Sequence, residues 1–158
     1  MKTAIIFVLG FLVLLGLWFL ITRIVIPSYQ AGVLVIDNPN KYTNLIDAVY
    51  DRSTKGVERL IAQGANLEAT KSDGSTPLLL AVETDQFDIA EKLINSGANV
   101  FAVSESGDSV GYSVEHSNVN SQARLRVVDL LKARGFPFPA PHRTEIEKMI
   151  EAGTWPPK

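Results

Sequence analysis

Residues 43–69 repeat as residues 76–102 after a shift of 33 positions, without a gap, and 11 of the 27 pairs are identical. Unrelated stretches of ordinary composition would share about two. The identities include Thr43/Thr76, Leu45/Leu78, Ala48/Ala81, Leu60/Leu93, Gly64/Gly97 and Asn66/Asn99. In the second copy two short apolar runs, Leu78 to Val82 and Ile89 to Ile94, are split by a polar turn and closed by Gly97. That pattern predicts two short helices folded back on each other. One such hairpin cannot bury its apolar face alone, so successive copies must stack into a solenoid. The expected fold class is all-α.

Gly74-Ser75-Thr76-Pro77-Leu78 stands where the ankyrin-repeat family has G-x-T-P-L, and Gly97-Ala98-Asn99 where it has G-A-D/N. With the period of 33, motif and register agree, and the chain resembles that family. Thr76 is placed to cap a first helix, Pro77 suits its first turn, and Gly64, Gly97 and Gly135 can each close a second helix in the left-handed conformation. Leu79 departs from the family, which usually has His there. The family's histidine hydrogen bonds between repeats are therefore not expected here, and Leu79 is expected to pack instead.

The amino-terminal stretch obeys a different rule. Ala4 to Ile21 carries no charge over 18 positions, and a helix over the 23 residues from Ala4 to Ile26 would be about 34 Å long, enough to cross a bilayer core. Arg23 near its end is placed to reach the headgroups. Residues 1–26 are therefore expected to be an uncleaved transmembrane signal anchor, the protein's membrane contact lying at residues 4–26. A cleaved signal peptide competes with this, but no small-x-small site follows, since Tyr29 stands three before a cut after Ala31. Lys2 on a short tail favours an inside amino terminus. A single-pass membrane protein with its repeat domain outside the cytosol is expected, in the periplasm if the host is a Gram-negative bacterium.

Residues 27–40 read as a membrane-proximal segment, with an apolar run at Gly32 to Ile36 and a turn at Asp37-Asn38-Pro39-Asn40. The repeat domain then spans 41–153, with repeats near 41–73, 74–106 and 107–140, a capping helix at 144–152 and a tail at 154–158. The first repeat is polar, as an end unit should be. The third starts on time at Gly107, but Val127-Val128-Asp129-Leu130-Leu131 matches the second repeat only at a shift of 38. Five residues are thus inserted within Glu115 to Arg124, where the polar sequence predicts a protruding loop. Phe136 to Pro141 alternates with proline and must be extended. In the capping helix the apolar stripe is Ile146, Met149 and Ile150.

Little chemistry is offered. There is no cysteine, and His116 and His142 are too isolated for standard metal spacing. Glu145 and Glu147 point to different sides of a helix. Gly107-Asp108-Ser109-Val110-Gly111 matches G-x-S-x-G, with Asp129 and His142 following in order. A serine hydrolase using Ser109 is therefore the alternative from another class. That motif works on a strand-to-helix elbow, whereas the repeat register puts Ser109 at a helix start. No catalysis, no cofactor and no small-molecule substrate are expected.

Charge is uneven along the chain. Asp37 to Glu115 holds 13 acidic and 6 basic residues, which disfavours nucleic acid as a partner. Arg124, Arg126, Lys132 and Arg134 form a basic stretch that reads as a solvated stripe or a docking patch. The resemblance implies binding of another protein through finger tips and the inner ends of the first helices. Carried over by register, these positions are Tyr42, Tyr50 and Asp51, then Ser72, Asp73, Ser75, Glu83 and Thr84, then Glu105, Ser106, Asp108 and His116. Tyr42 and Tyr50 are the expected anchors, as tyrosine is enriched at interface hot spots; either could instead cover the first repeat. The resulting expectation is a non-catalytic interaction module that serves as a subunit or assembly partner of a membrane or periplasmic complex. The alternative within the same class is a membrane-anchored immunity or inhibitor protein against a periplasmic toxin.

Overall fold

The computed structural model describes residues 38–157. The expected anchor at 1–26 and the apolar run at 32–36 lie outside the described residues. Among the described residues, no helix is long and apolar enough to cross a membrane.

Among the described residues, a 3-10 turn, Pro39–Lys41, precedes seven α-helices: α1 (Leu45–Tyr50), α2 (Thr54–Ala62), α3 (Pro77–Glu83), α4 (Phe87–Asn95), α5 (Val110–His116), α6 (Gln122–Ala133) and α7 (Arg143–Glu151). The described residues hold no β-strand, only an isolated antiparallel bridge between Val103 and Ser109. First helices stack on first helices and second on second: α1 on α3, α3 on α5, α2 on α4 and α4 on α6.

Local chemistry sets these boundaries. Asn44, Ser53, Thr76, Ser109 and Ser121 each accept a backbone N–H from the third residue of the helix they precede. Each second helix ends in the same way. Gly64, Gly97 and Gly135 sit at φ 76°, 100° and 83°, and the following N–H of Ala65, Ala98 and Phe136 closes on the carbonyls of Leu60, Leu93 and Leu131. Between paired helices Arg52 and Asp85, both at φ 57°, make the equivalent reversal.

The second repeat is the centre of the core. Leu78, Leu79, Ala81, Ala90, Leu93 and Ile94 are fully buried. Leu79 thus packs where the family usually places its histidine, as expected.

The third repeat departs from the expected loop. Helix α6 has 12 residues against 9 in α4, so three of the five inserted residues extend the helix toward its amino terminus. The other two lengthen the connection, 117–121 against 84–86, and Ser117, which follows α5, is extended at φ −66°, ψ 133°, whereas Thr84 after α3 is at φ −104°, ψ 16°. Ser121 supplies a cap for the lengthened helix by accepting the Arg124 N–H.

Beyond Gly135 the chain is extended, and Phe136 is buried across Gly111 of α5. Helix α7 begins one residue before the expected 144–152. Its cap, His142, continues the series Thr76, Ser109, His142 at intervals of 33, so α7 stands in the register of a fourth first helix. Of its expected apolar stripe, Ile146 is buried, whereas Ile150 is 51% exposed. In the last residues Trp155 donates its Nε1–H to the Phe101 carbonyl at 3.1 Å and meets Phe101 and Phe136 edge-on.

Candidate functional site

Two tight turns form the finger tips. In the first, Lys71 N–H bonds the Ser75 carbonyl and Gly74 N–H the Lys71 carbonyl; in the second, Ser104 N–H bonds the Asp108 carbonyl and Gly107 N–H the Ser104 carbonyl. The tips are tied by Glu105 N–H donating to the Asp73 carbonyl at 3.0 Å. Gly74 permits this approach: its φ is 76°, and a β-carbon there would stand 3.0 Å from the Glu105 nitrogen.

Asp73 organises the first tip. Its carboxylate accepts the Ser75 N–H at 3.0 Å and the Lys71 ammonium at 2.9 Å. These donors favour the charged form and hold its pKa down at about 2. Asp108 plays a similar part in the second tip, accepting the Ser106 hydroxyl at 2.5 Å and pairing with Arg143 of α7 at 3.1 Å.

Behind the tips, the ends of α3 and α5 flank an open groove of about 400 Å³ whose lining includes Glu83, Asp85, Asp108, Tyr112, His116 and Asn118. The Glu83 carboxyl is pushed above its ordinary value, first by partial withdrawal from water and then by the negative charges of Asp108 and Asp73. On the opposite wall His116 stacks on Tyr112 with ring centroids 3.9 Å apart, and His142 meets the same ring edge-on at 5.4 Å. Asp85 receives the Ser117 hydroxyl at 2.6 Å, which ties the lengthened third-repeat connection to the second repeat.

The structure therefore brings Asp73, Glu83, Glu105, Ser106, Asp108 and His116 to one continuous region of fingers and groove. Ser72 is exposed on the first tip. Tyr50 is 74% exposed and, with Glu83, close enough to Lys71 to influence its charge.

Other expected positions are committed to the fold. Tyr42 is buried, its ring covers Gly56 and its hydroxyl donates to Asp51 at 3.2 Å, so it is a first-repeat cover rather than an anchor. Asp51 is also paired with Lys41 at 2.7 Å. Ser75 is buried behind the finger. The Thr84 hydroxyl donates to the Leu80 carbonyl and accepts from the Gln86 amide, completing the turn after α3.

Tyr112, Asp85 and Asn118 were absent from the register-based set. Tyr112 sits on the first helix of the degenerate repeat, where the motif gave no anchor; Asp85 lies in the turn between α3 and α4, and only Asn118 belongs to the lengthened connection.

Arg126, Lys132 and Arg134 of the basic stretch are exposed, and each also has a partner within the fold. Arg126 bridges Asp88 and Glu91 of α4, Arg134 donates to the Ile94 carbonyl at 2.8 Å, and Arg124 donates to the Val114 carbonyl at 2.9 Å. Lys132 lies 5.5 Å from the Phe138 ring centroid. These cations hold α6 to its neighbours.

Ser109 is completely buried and accepts the Tyr112 N–H as the cap of α5, which leaves no exposed nucleophile in the G-x-S-x-G stretch. Asp129 lies exposed on α6, while His142 caps α7. Among the described residues, no group of three or more His, Asp or Glu is placed to hold a metal ion.

Comparison with known proteins agrees with this architecture. A family model described as ankyrin repeats (3 copies) matches residues 19–104. XBAT34 of Arabidopsis thaliana, whose name proposes an E3 ubiquitin-protein ligase, is 33% identical over 92 residues, or 58% of this chain and 24% of the relative. The chain thus spans about a quarter of the length of the curated relative it matches. The family match stops before the third repeat.

Proposed function

The chain belongs to the ankyrin-repeat family and carries a protein–protein interaction module; from that premise we propose that it binds a basic protein partner beside a membrane, without catalysis. The observation that carries the reading is the run of carboxylates along the fingers and groove, Asp73, Glu83, Asp85 and Asp108, with exposed Tyr50 on the neighbouring first helix. Such a surface favours a partner with complementary cations and raises the rate of encounter. Tyr50 supplies the large amphipathic contact that interface anchors use.

Membrane attachment rests on the sequence from Ala4 to Ile26. Anchoring would confine the search for a partner to two dimensions and place the repeats close to the bilayer. The reading is a subunit or assembly partner of a membrane complex, with its repeats outside the cytosol.

The test is a cross-linked pull-down of the full-length chain from native membranes, beside the double variant Tyr50→Ala, Glu83→Arg. A partner retained by the wild type and lost by the variant supports the acidic face, and its compartment reports the side of the membrane. Partners that survive the double variant overturn the assignment. Extraction of the chain by alkaline carbonate would separately remove the anchor from the proposal.

A further inference from the structure

The second helices stack by a recurring pairing. Glu58 of α2 meets Lys92 of α4 at 2.6 Å, and Glu91 of α4, 33 residues further on, meets Arg126 of α6 at 2.9 Å. Each helix offers a carboxylate to a cation on the next. On α4 the residues Phe87, Glu91 and Ile94 share one stripe by helical spacing. Because Glu91 meets α6, that stripe faces α6, and Phe87 and Ile94 are 2% and 0% exposed.

The shift of 38 residues maps this stripe onto Leu125, Asp129 and Lys132 of α6. There Leu125 is 44% exposed, Lys132 is exposed, and Asp129 is exposed and has no ion pair among the described residues. A groove of about 510 Å³ lies alongside, lined by Leu125, Val128 and Lys132 on α6 and by Phe138 and Pro139 of the extended segment. Helix α7 has the register of a fourth first helix, but after it Trp155 turns to Phe101 and Phe136. Among the described residues, no second helix covers the stripe.

We infer that this stripe of α6 is a docking seat for an amphipathic helix of a partner protein, which stacks on α6 as α6 stacks on α4 and presents a lysine or arginine to Asp129. The argument for the occupant is continuity: two successive interfaces pair the same carboxylate position, Glu58 and then Glu91, with a cation of the next helix, and the flanking positions are partly buried on α2, at Thr54 and Ile61, and fully buried on α4, at Phe87 and Ile94. An apolar stripe on the partner helix would cover Leu125, Val128 and Phe138, and its residue opposite Lys132 would be aliphatic or acidic. The seat uses other residues than the fingers and groove, so it is a second surface beyond the function proposed above.

The probe is a synthetic, helix-stabilised peptide of residues 121–135, because it carries Arg126, Val127 and Leu130, the face that α6 turns toward α4. Its binding to the full-length chain in mild detergent is followed by fluorescence anisotropy. Saturable binding is expected, weaker by about tenfold with Leu125→Asp in the protein, which puts a charge where an apolar contact forms. Asp129→Lys should weaken it by about fivefold, and a peptide carrying Arg126→Glu should recover the loss. Both substituted positions are exposed, and circular dichroism checks that helix content is kept. The Tyr50→Ala, Glu83→Arg variant should bind the peptide as the wild type does.

Absence of binding overturns the inference. So does binding that ignores both substitutions, as a peptide that displaced α6 from α4 would do. A homodimer seen by sedimentation and split by Leu125→Asp also overturns it, since the seat would then belong to a second copy of the chain.

Discussion

Phe136 crosses Gly111 so closely that a β-carbon on Gly111 would collide with the aromatic ring. The glycine lies inside α5, where alanine would ordinarily favour the helix by about 1 kcal/mol. Here it makes room for a side chain that reaches back from beyond α6 and closes the third repeat, together with Phe101 and Trp155.

Gly111→Ala should therefore destabilise the repeat domain despite the gain in helix propensity. Overpacking of a buried contact typically costs about 1–3 kcal/mol. Urea unfolding followed by circular dichroism measures it. A midpoint equal to or above that of the wild type would show that Phe136 does not need the space.

Much of this architecture was legible because its signals are local. Thr76, Gly64, Gly97 and Gly135 act on hydrogen bonds within a few residues, so their types and spacing suffice to place helix ends. The third repeat was harder, because five inserted residues can either form a loop or lengthen a helix, and the choice depends on the new cap at Ser121 and on Arg124 reaching the end of α5. The partners of Arg124 and Arg134 are backbone carbonyls, which carry no sequence signal. Tyr42 and Tyr50 looked alike in the sequence; burial against Gly56 separates them. The fourth-repeat register of α7 was hidden because a histidine fills the capping position held by Thr76 and Ser109.

The finger carboxylate Asp73 and the groove carboxylate Glu83 should respond to pH with opposite signs. Asp73 has its folded pKa lowered to about 2 from 3.8, so its contribution is present above pH 3.8 and is lost as pH falls through about 2. Asp73→Asn should lower Tm at pH 7, and the difference from wild type should shrink as pH falls from about 4 toward 2. Glu83 has its pKa raised, so its ionised form opposes folding at neutral pH. Glu83→Gln should raise Tm slightly at pH 7 and leave it unchanged below about pH 4, where the carboxyl is protonated in both states. Thermal unfolding of both variants across pH 2–7 checks the signs; parallel curves for the two would contradict the assignment.

The two arginines that hold α6 to α4 should differ in their sensitivity to salt. Arg126 pairs with Asp88 and Glu91 in an exposed setting, and Arg126→Ala should cost less than about 1 kcal/mol, a loss that shrinks further in 1 M salt. Arg134 donates to the Ile94 carbonyl at the end of α4, where its charge also meets the negative end of that helix. Arg134→Ala should cost about 1 kcal/mol, and more of that cost should persist in salt because one part of it is a hydrogen bond. Denaturation of both variants at low and high ionic strength decides the point, and equal salt dependence would remove the distinction.

Trp155 joins the last residues to the body of the solenoid, by a hydrogen bond to the Phe101 carbonyl and by edge-on contacts with Phe101 and Phe136. Burying a tryptophan fully in a core and then truncating it costs about 3–5 kcal/mol; Trp155 is only partly buried, so Trp155→Ala should cost about 2 kcal/mol. The contact also holds α7 in place, since only a short turn separates Trp155 from the end of that helix at Glu151. Its loss should therefore speed amide exchange in residues 143–151 before it affects α3 and α4. A Trp18→Phe background leaves Trp155 as the single tryptophan, and its emission should shift to longer wavelength when α7 detaches. Uniform exchange in all helices, or emission already that of an exposed indole in the native protein, would show that the carboxy-terminal residues are not part of the packed structure.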